Sequence, residues 1–135
     1  MNKYQVVAKL ELIEEMIDPI ISSLEEIKAD HKKVYQVNLA LEEILVNIAK
    51  YAYAPNEGLI DISYEISDDS KQLKVIIRDK GKAFNPLEKE EPDFDSSVEN
   101  RKIGGLGIYI VRNIMDDVKY ERINDENVLE IIKNL

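Results

Sequence analysis

Apolar residues recur along this chain in two rhythms, and the switch between them marks out its elements. Ile13, Met16, Ile17, Ile20, Ile21, Leu24 and Ile27 follow spacings of three and four, which place them on one stripe of a helix. Pro19 falls inside that stripe, so it either kinks the helix or sets its start after Asp18. Val34, Val37, Leu41, Ile44, Leu45 and Ile48 draw a second stripe. Its helix should end near Ala52, because Pro55, Asn56 and Gly58 follow as breakers. Upstream, residues 4–10 are short, apolar-rich and strand-like, and residues 28–33 read as a polar connection.

The period then changes to two. Ile60, Ile62, Tyr64 and Ile66 alternate with Asp61, Ser63, Glu65 and Ser67; Leu73, Val75 and Ile77 alternate with Lys74, Ile76 and Arg78. The polar stretch Asp68-Asp69-Ser70-Lys71 joins the two runs, which predicts a hairpin with one face on a core. Over residues 86–102 the apolar pattern lapses, and a loop of that length inside a compact domain usually serves a function, here that of a lid. Ile108, Val111, Ile114, Met115 and Val118 mark a third helix, and two closing strands, 119–123 and 128–132, flank the turn Asn124-Asp125-Glu126-Asn127. Strand, two helices, hairpin, loop, helix and hairpin together predict a two-layer α/β sandwich with helices on one face of a sheet.

Composition narrows the class. A chain of 135 residues, 44% hydrophobic and 33% charged, fits one globular domain over residues 1–135. With no Cys there is no disulfide framework and no thiolate metal site. No apolar run approaches a membrane span and the N-terminus lacks a secretory core, so the expectation is a cytoplasmic protein with no membrane contact. A net charge of −9 argues against direct nucleic-acid binding, which draws on Lys and Arg to neutralise phosphates. That charge serves solubility, or steering toward a basic partner.

Three separated clusters carry candidate chemistry. Glu43, Asn47 and Lys50 stand at i, i+4 and i+7 of the second helix, on one face beside the buried stripe. An Asn amide oxygen can ligate Mg2+, which takes few protein ligands, and a Glu can accept a proton from an attacking hydroxyl. On this helix alone, a solvated polar face with an incidental Glu–Asn pair is the plainer reading. Asp79 ends a strand and can accept a hydrogen bond from an exocyclic amine such as adenine's; Gly81 lets backbone approach a ring, and Pro86 stiffens the exit. An ordinary turn uses the same residues. Gly104-Gly105-Leu106-Gly107 opens the third helix and holds three of the chain's five glycines, leaving N–H groups uncovered where the helix dipole favours anions. A flexible hinge is the plainer alternative. There is no P-loop, and the dinucleotide fingerprint fails because Ile110 stands at its third glycine. His31, the single histidine, is expected in solvent, and Tyr51 and Tyr53 are expected to pack.

In this order and on these elements, the clusters resemble the boxes of the gyrase, heat-shock chaperone, histidine-kinase and MutL ATPase superfamily, and within it the bacterial anti-sigma-factor serine kinases. Glu43-x-x-x-Asn47 is similar to the N box, Asp79-x-Gly81-x-x-Phe84-Asn85-Pro86 to the G1 box, and Gly104-Gly105-Leu106-Gly107-Ile108 to the G2 box. The resemblance implies an α+β fold of the histidine-kinase-like ATPase (Bergerat) type, with a left-handed βαβ arrangement and a mixed, mainly antiparallel sheet. It implies ATP and Mg2+ as cofactors, with Asn47 on the metal, Glu43 as general base and Asp79 on the adenine amine. Gly81, with Ala83 and Phe84 beside it, would line the adenine pocket; residues 104–107, with Ile108 after them, would hold phosphates, and Lys50 would stand on the nucleotide side of its helix. Arg101 or Lys102 would lie near the phosphates, and the spacing does not choose between them. Tyr51 stands where the family often has His.

The resemblance further implies a serine/threonine kinase that phosphorylates a small anti-anti-sigma antagonist, binds a sigma factor, switches partners and forms a homodimer. A sensor kinase carries an upstream helical domain with a phosphoacceptor His, for which this chain leaves no room, so a stand-alone kinase is expected. The alternatives are a non-catalytic ATP-binding interaction module and a plain ATPase.

Overall fold

The computed structural model describes residues 1–83 and 105–135. Strand β1 (Asn2–Val7) leads through a 3-10 turn, Leu10–Leu12, into helix α1 (Ile13–Glu26). Helix α2 (His31–Asn47) follows and runs into a π-helical turn, Ile48–Ala52. Strands β2 (Leu59–Ile66) and β3 (Gln72–Asp79) form the expected hairpin. Helix α3 (Gly105–Ile114) and the hairpin of β4 (Asp117–Ile123) and β5 (Glu126–Asn134) close the described chain.

The sheet order is β1-β2-β3-β5-β4, and every described pair is antiparallel, so the mixed sheet expected from sequence is antiparallel throughout. Register puts the alternating apolar residues of the central strands on one face. Ile62 pairs with Ile77, and Ile77 with Leu129, and all three are buried. Met16, Ile20 and Leu24 of α1 and Val37, Leu41 and Leu45 of α2 cover that face. Val111 of α3 and Met115 extend the same cluster. No helix among the described residues is long and apolar enough to cross a membrane.

Four local outcomes differ from the pattern reading. First, of the two alternatives at Pro19, α1 takes the one in which the proline lies inside the helix, and it does not start after Asp18. Proline in a helix interior costs about 3 kcal/mol. Buried aliphatic side chains on both sides of it, Ile13, Met16 and Ile17 before and Ile20 and Leu24 after, each return roughly 1.5–3 kcal/mol, so packing wins. Second, the connection is shorter than residues 28–33. Lys28 turns the chain with φ 57°, its N–H donating to the Glu25 carbonyl while Ala29 N–H donates to that of Leu24, and α2 starts at His31. Third, Val118 belongs to β4, not the helix, because Asp116 N–H bonds the Ile132 carbonyl and Asn134 N–H bonds the Asp116 carboxylate, which hook the chain onto β5. Fourth, the closing turn is the two-residue pair Asn124 (φ 50°) and Asp125 (φ 64°), residue types that tolerate the left-handed region a tight hairpin needs.

Candidate functional site

The second helix ends in an i→i+5 turn. Such a turn widens the helix and re-aims the residues in it. Asn47 is the last residue of α2, and Ile48, Tyr51 and Ala52 of the π turn face the same cavity as Asn47. Lys50, which α-helical spacing had placed on the face of Glu43 and Asn47, is exposed within the π turn and is not among the cavity's lining residues. The changed phase after Asn47 accounts for this. Tyr51, expected to pack, is 53% exposed and stands at the cavity rim. Tyr53 does pack, and its hydroxyl donates to the Leu59 carbonyl (2.6 Å) and accepts from Lys80 N–H (2.7 Å). Burial raises the pKa of that hydroxyl. His31 is exposed.

The π turn meets the end of β3 backbone to backbone. The Ala52 carbonyl accepts from Lys82 N–H at 2.8 Å. A Cβ on Gly81 would stand 2.3 Å from that carbonyl oxygen and 2.6 Å from its carbon. Neither main chain can give way without moving an element, so glycine is required here. Gly81→Ala should therefore cost about 1–3 kcal/mol of stability through overpacking and weaken ligand binding with it. Urea unfolding and a ligand titration on the same preparation check both losses.

Asp79 forms the floor. It is buried, and Gly81 N–H and Asn127 Nδ2 each donate to its Oδ1 at 2.9 Å. Asn127 Nδ2 also donates to the Lys82 carbonyl (2.7 Å), while its Oδ1 accepts from the Tyr120 hydroxyl (2.6 Å). Two acceptors at the nitrogen and a donor at the oxygen fix which way this amide points. Arg122 donates to the Gly81 carbonyl at 2.9 Å. The sheet explains the convergence: Asp79 pairs with Asn127, and Asn127 with Arg122, in one row across β3, β5 and β4. The Asp79 pKa is raised. Burial is the main cause, opposed by the hydrogen bonds from Asn127 and Gly81 and by the Arg122 charge. The hydrogen bonds to the Asp79 carboxylate among the described residues both reach Oδ1, so Oδ2 remains to accept a donor from a ligand.

Tyr120 and Arg122 were expected only as strand residues and Asn127 as part of the closing turn, whereas Asn127 lies in β5 and all three join the site. A signal existed. Asn127 holds the phase of Leu129 and Ile131 in β5, so a polar side chain interrupts the inward-facing series at the sheet end.

A cavity of ≈ 330 Å³ opens above Asp79, with Ile44, Ile48, Ala83 and Leu129 among its walls and Asn47 at its edge. Apolar walls with a carboxylate at one end suit a flat heteroaromatic ring that carries a donor. Asn47 Nδ2 is buried without a hydrogen-bond partner among the described residues. A donor left in that state is suited to an acceptor oxygen of a ligand. Glu43, partly buried, lies one helical turn before Asn47. It abuts α3: a Cβ on Gly107 would fall 2.3 Å from Glu43 Oε2. The start of α3, whose first N–H groups have no partner within the helix, is thus placed beside Glu43, and Gly105, Leu106 and Ile108 belong to its first turns.

No group of three or more His, Cys, Asp or Glu among the described residues could hold a metal ion. Mg2+ carried by a polyphosphate needs only one or two protein oxygens, and the Asn47 amide with the Glu43 carboxylate nearby suits that smaller demand. Phe84, Arg101, Lys102, Gly104 and the lid at 86–102 lie outside the described residues.

Comparison with known proteins adds three findings. The model of the histidine kinase-like ATPase domain matches residues 6–133. The serine-protein kinase RsbW of Staphylococcus aureus strains JH9 and Newman is 32% identical over 96 residues, covering 67% of this chain and 59% of the relative. The chain thus spans 59% of the length of these curated relatives. Among solved structures, the RsbU and RsbW domains of a Mycobacterium tuberculosis protein superpose with a TM-score of 0.66 at 13% identity, over 98% of this chain and 32% of that one. The histidine kinase domain of an Erythrobacter litoralis blue-light activated histidine kinase gives 0.57 at 17% identity, over 91% and 61%. These two likenesses speak for the fold.

Proposed function

The chain belongs to the histidine kinase-like ATPase domain family, and from that premise we propose that it is a Mg-ATP-dependent serine/threonine protein kinase that phosphorylates a small antagonist protein. In this reading the protein is cytoplasmic, acts as an anti-sigma factor, binds a sigma factor as its other partner, works as a homodimer and regulates transcription by switching partners. One observation carries the proposal: Asp79 and Asn47 line a single cavity, and Glu43, one turn from Asn47, lies against the start of α3.

Each residue then has a task that its surroundings support. Asp79 Oδ2 accepts the adenine amine, and its Oδ1 is held by Asn127 and Gly81. Ile44, Ile48 and Leu129 take the ring faces and exclude water. Asn47 would hold Mg2+ through its amide oxygen, and the metal would offset negative charge on the transferred phosphoryl group. The N–H groups at the start of α3 hold phosphate oxygens. Glu43 takes the proton from a serine hydroxyl of the antagonist. The serine oxygen bonds the γ-phosphorus as the bond to the β–γ bridging oxygen breaks, and ADP leaves with that electron pair. Catalysis is then largely a matter of positioning and charge.

The test is to incubate the protein with Mg2+, γ-labelled ATP and the antagonist from its gene neighbourhood. Label on an antagonist serine is the expected result. Bound nucleotide without phosphoprotein makes the protein an interaction module instead, and phosphate released without an acceptor makes it a plain ATPase.

A further inference from the structure

We propose that Gly107 is a positioning residue for the Glu43 carboxylate, keeping clear the space into which that carboxylate is directed. The inference rests on the reading that Glu43 takes the acceptor's proton, and it concerns what holds Glu43 in place. A Cβ at position 107 would lie 2.3 Å from Glu43 Oε2, 3.1 Å from Cδ and 3.5 Å from Cβ. The conflict is therefore confined to the tip of the side chain, since 3.5 Å is an ordinary contact. A flexible carboxylate swings aside more cheaply than a helix moves. At Gly81 the obstacle is the Ala52 main chain, so an added methyl there strains the fold. At Gly107 it displaces one functional group.

Among the described residues, no other side chain comes as close to position 107 as that of Glu43. The φ of Gly107 lies outside the left-handed range, and the residue is inside α3, where alanine is the better helix former. Alanine also keeps the backbone N–H, so any phosphate contact made by that amide survives the substitution. A shift of about 1 Å in a catalytic group is enough to cost on the order of 10²-fold in rate.

The experiment compares Gly107→Ala, Glu43→Gln and the double variant for kcat of phosphoryl transfer, for Kd of a non-hydrolysable ATP analogue with Mg2+, and for Tm. Gly107→Ala should lower kcat by about 30- to 100-fold, a loss well beyond any accompanying rise in Kd, with Tm not reduced. In the Glu43→Gln background it should lower kcat by less than about twofold, because the displaced group has already lost its chemistry. An unchanged kcat in Gly107→Ala, a rise in Kd matching the loss in rate, or the same loss in the Glu43→Gln background would each overturn the inference. Parental transfer by Glu43→Gln would instead remove the base role, a separable failure. Should Gly107→Ala fail to fold, the pair Gly107→Ala with Glu43→Ala removes the clashing atoms and must fold. If that pair also fails, glycine serves the packing of α3 and the proposal is wrong.

Discussion

Asp79→Asn is expected to fold at least as well as the parent protein and to lose most of its nucleotide affinity. Both halves follow from the same buried carboxylate. Its pKa in the folded protein stands above the ordinary value of 3.8 because burial penalises the charge more than Asn127, Gly81 and Arg122 relieve it. A group with a raised folded pKa contributes stability that is fully present below the unfolded value and lost as pH rises through the folded one. The fold therefore disfavours the ionised form of this group. Asparagine has no charge to desolvate, and its Oδ1 can still accept from Gly81 N–H and Asn127 Nδ2. Chemical denaturation at pH 7 should give the variant an equal or higher midpoint, and any advantage should shrink as pH falls through the folded pKa toward 3.8.

The ligand sees the opposite change. At the position of Oδ2 an acceptor becomes an NH2 donor, which faces the donor amine of adenine. Losing a hydrogen bond to a charged partner costs about 1.5–3 kcal/mol, or about 10- to 150-fold in Kd. Calorimetric titration with Mg-ATP reads the loss directly. Parental affinity in the variant would place the nucleotide elsewhere and remove the basis of the proposed mechanism.

How far the chain could be read beforehand depended on whether the information was periodic. The β2–β3 hairpin followed from strict alternation between Ile60 and Ile77, and the inward face of α1 from its stripe, because burial is a matter of which residues share a side. The end of α2 near Ala52 was visible in its breakers, but the π turn was not. Hydrogen-bond register leaves no mark in apolar spacing. Asp79 at a strand end was legible from local order. Asn127, Tyr120 and Arg122 were not assigned, because their link to Asp79 is lateral, through strand pairing some 48 residues away in the case of Asn127. The contact of Gly107 with Glu43 is likewise a product of helix packing, which composition does not announce.

Glu43→Gln should abolish most phosphoryl transfer while leaving nucleotide binding intact. The substitution keeps size and shape, so the space beside Gly107 remains filled as before. It removes one property, the capacity to accept a proton near neutral pH. General-base catalysis of this kind contributes about 10²–10⁴-fold, or about 3–5 kcal/mol of barrier. The adenine end of the cavity is built from other residues, with Asp79, Ile48 and Leu129 among them, so Kd for Mg-ATP should stay within about threefold. A loss in kcat matched by an equal loss in kcat/KM is the signature of an interaction made only in the transition state. Single-turnover formation of phosphoserine, measured beside a binding titration, separates the two quantities. If the variant instead lost binding in step with rate, Glu43 would be serving Mg2+ alongside Asn47 rather than the acceptor hydroxyl. If it transferred phosphate at the parental rate, the proton would have to leave by another route, for a serine attacking a metaphosphate-like phosphoryl group needs little help from a base when the positioning is good. The size of the effect therefore measures how far this active site relies on proton removal and how far on alignment alone.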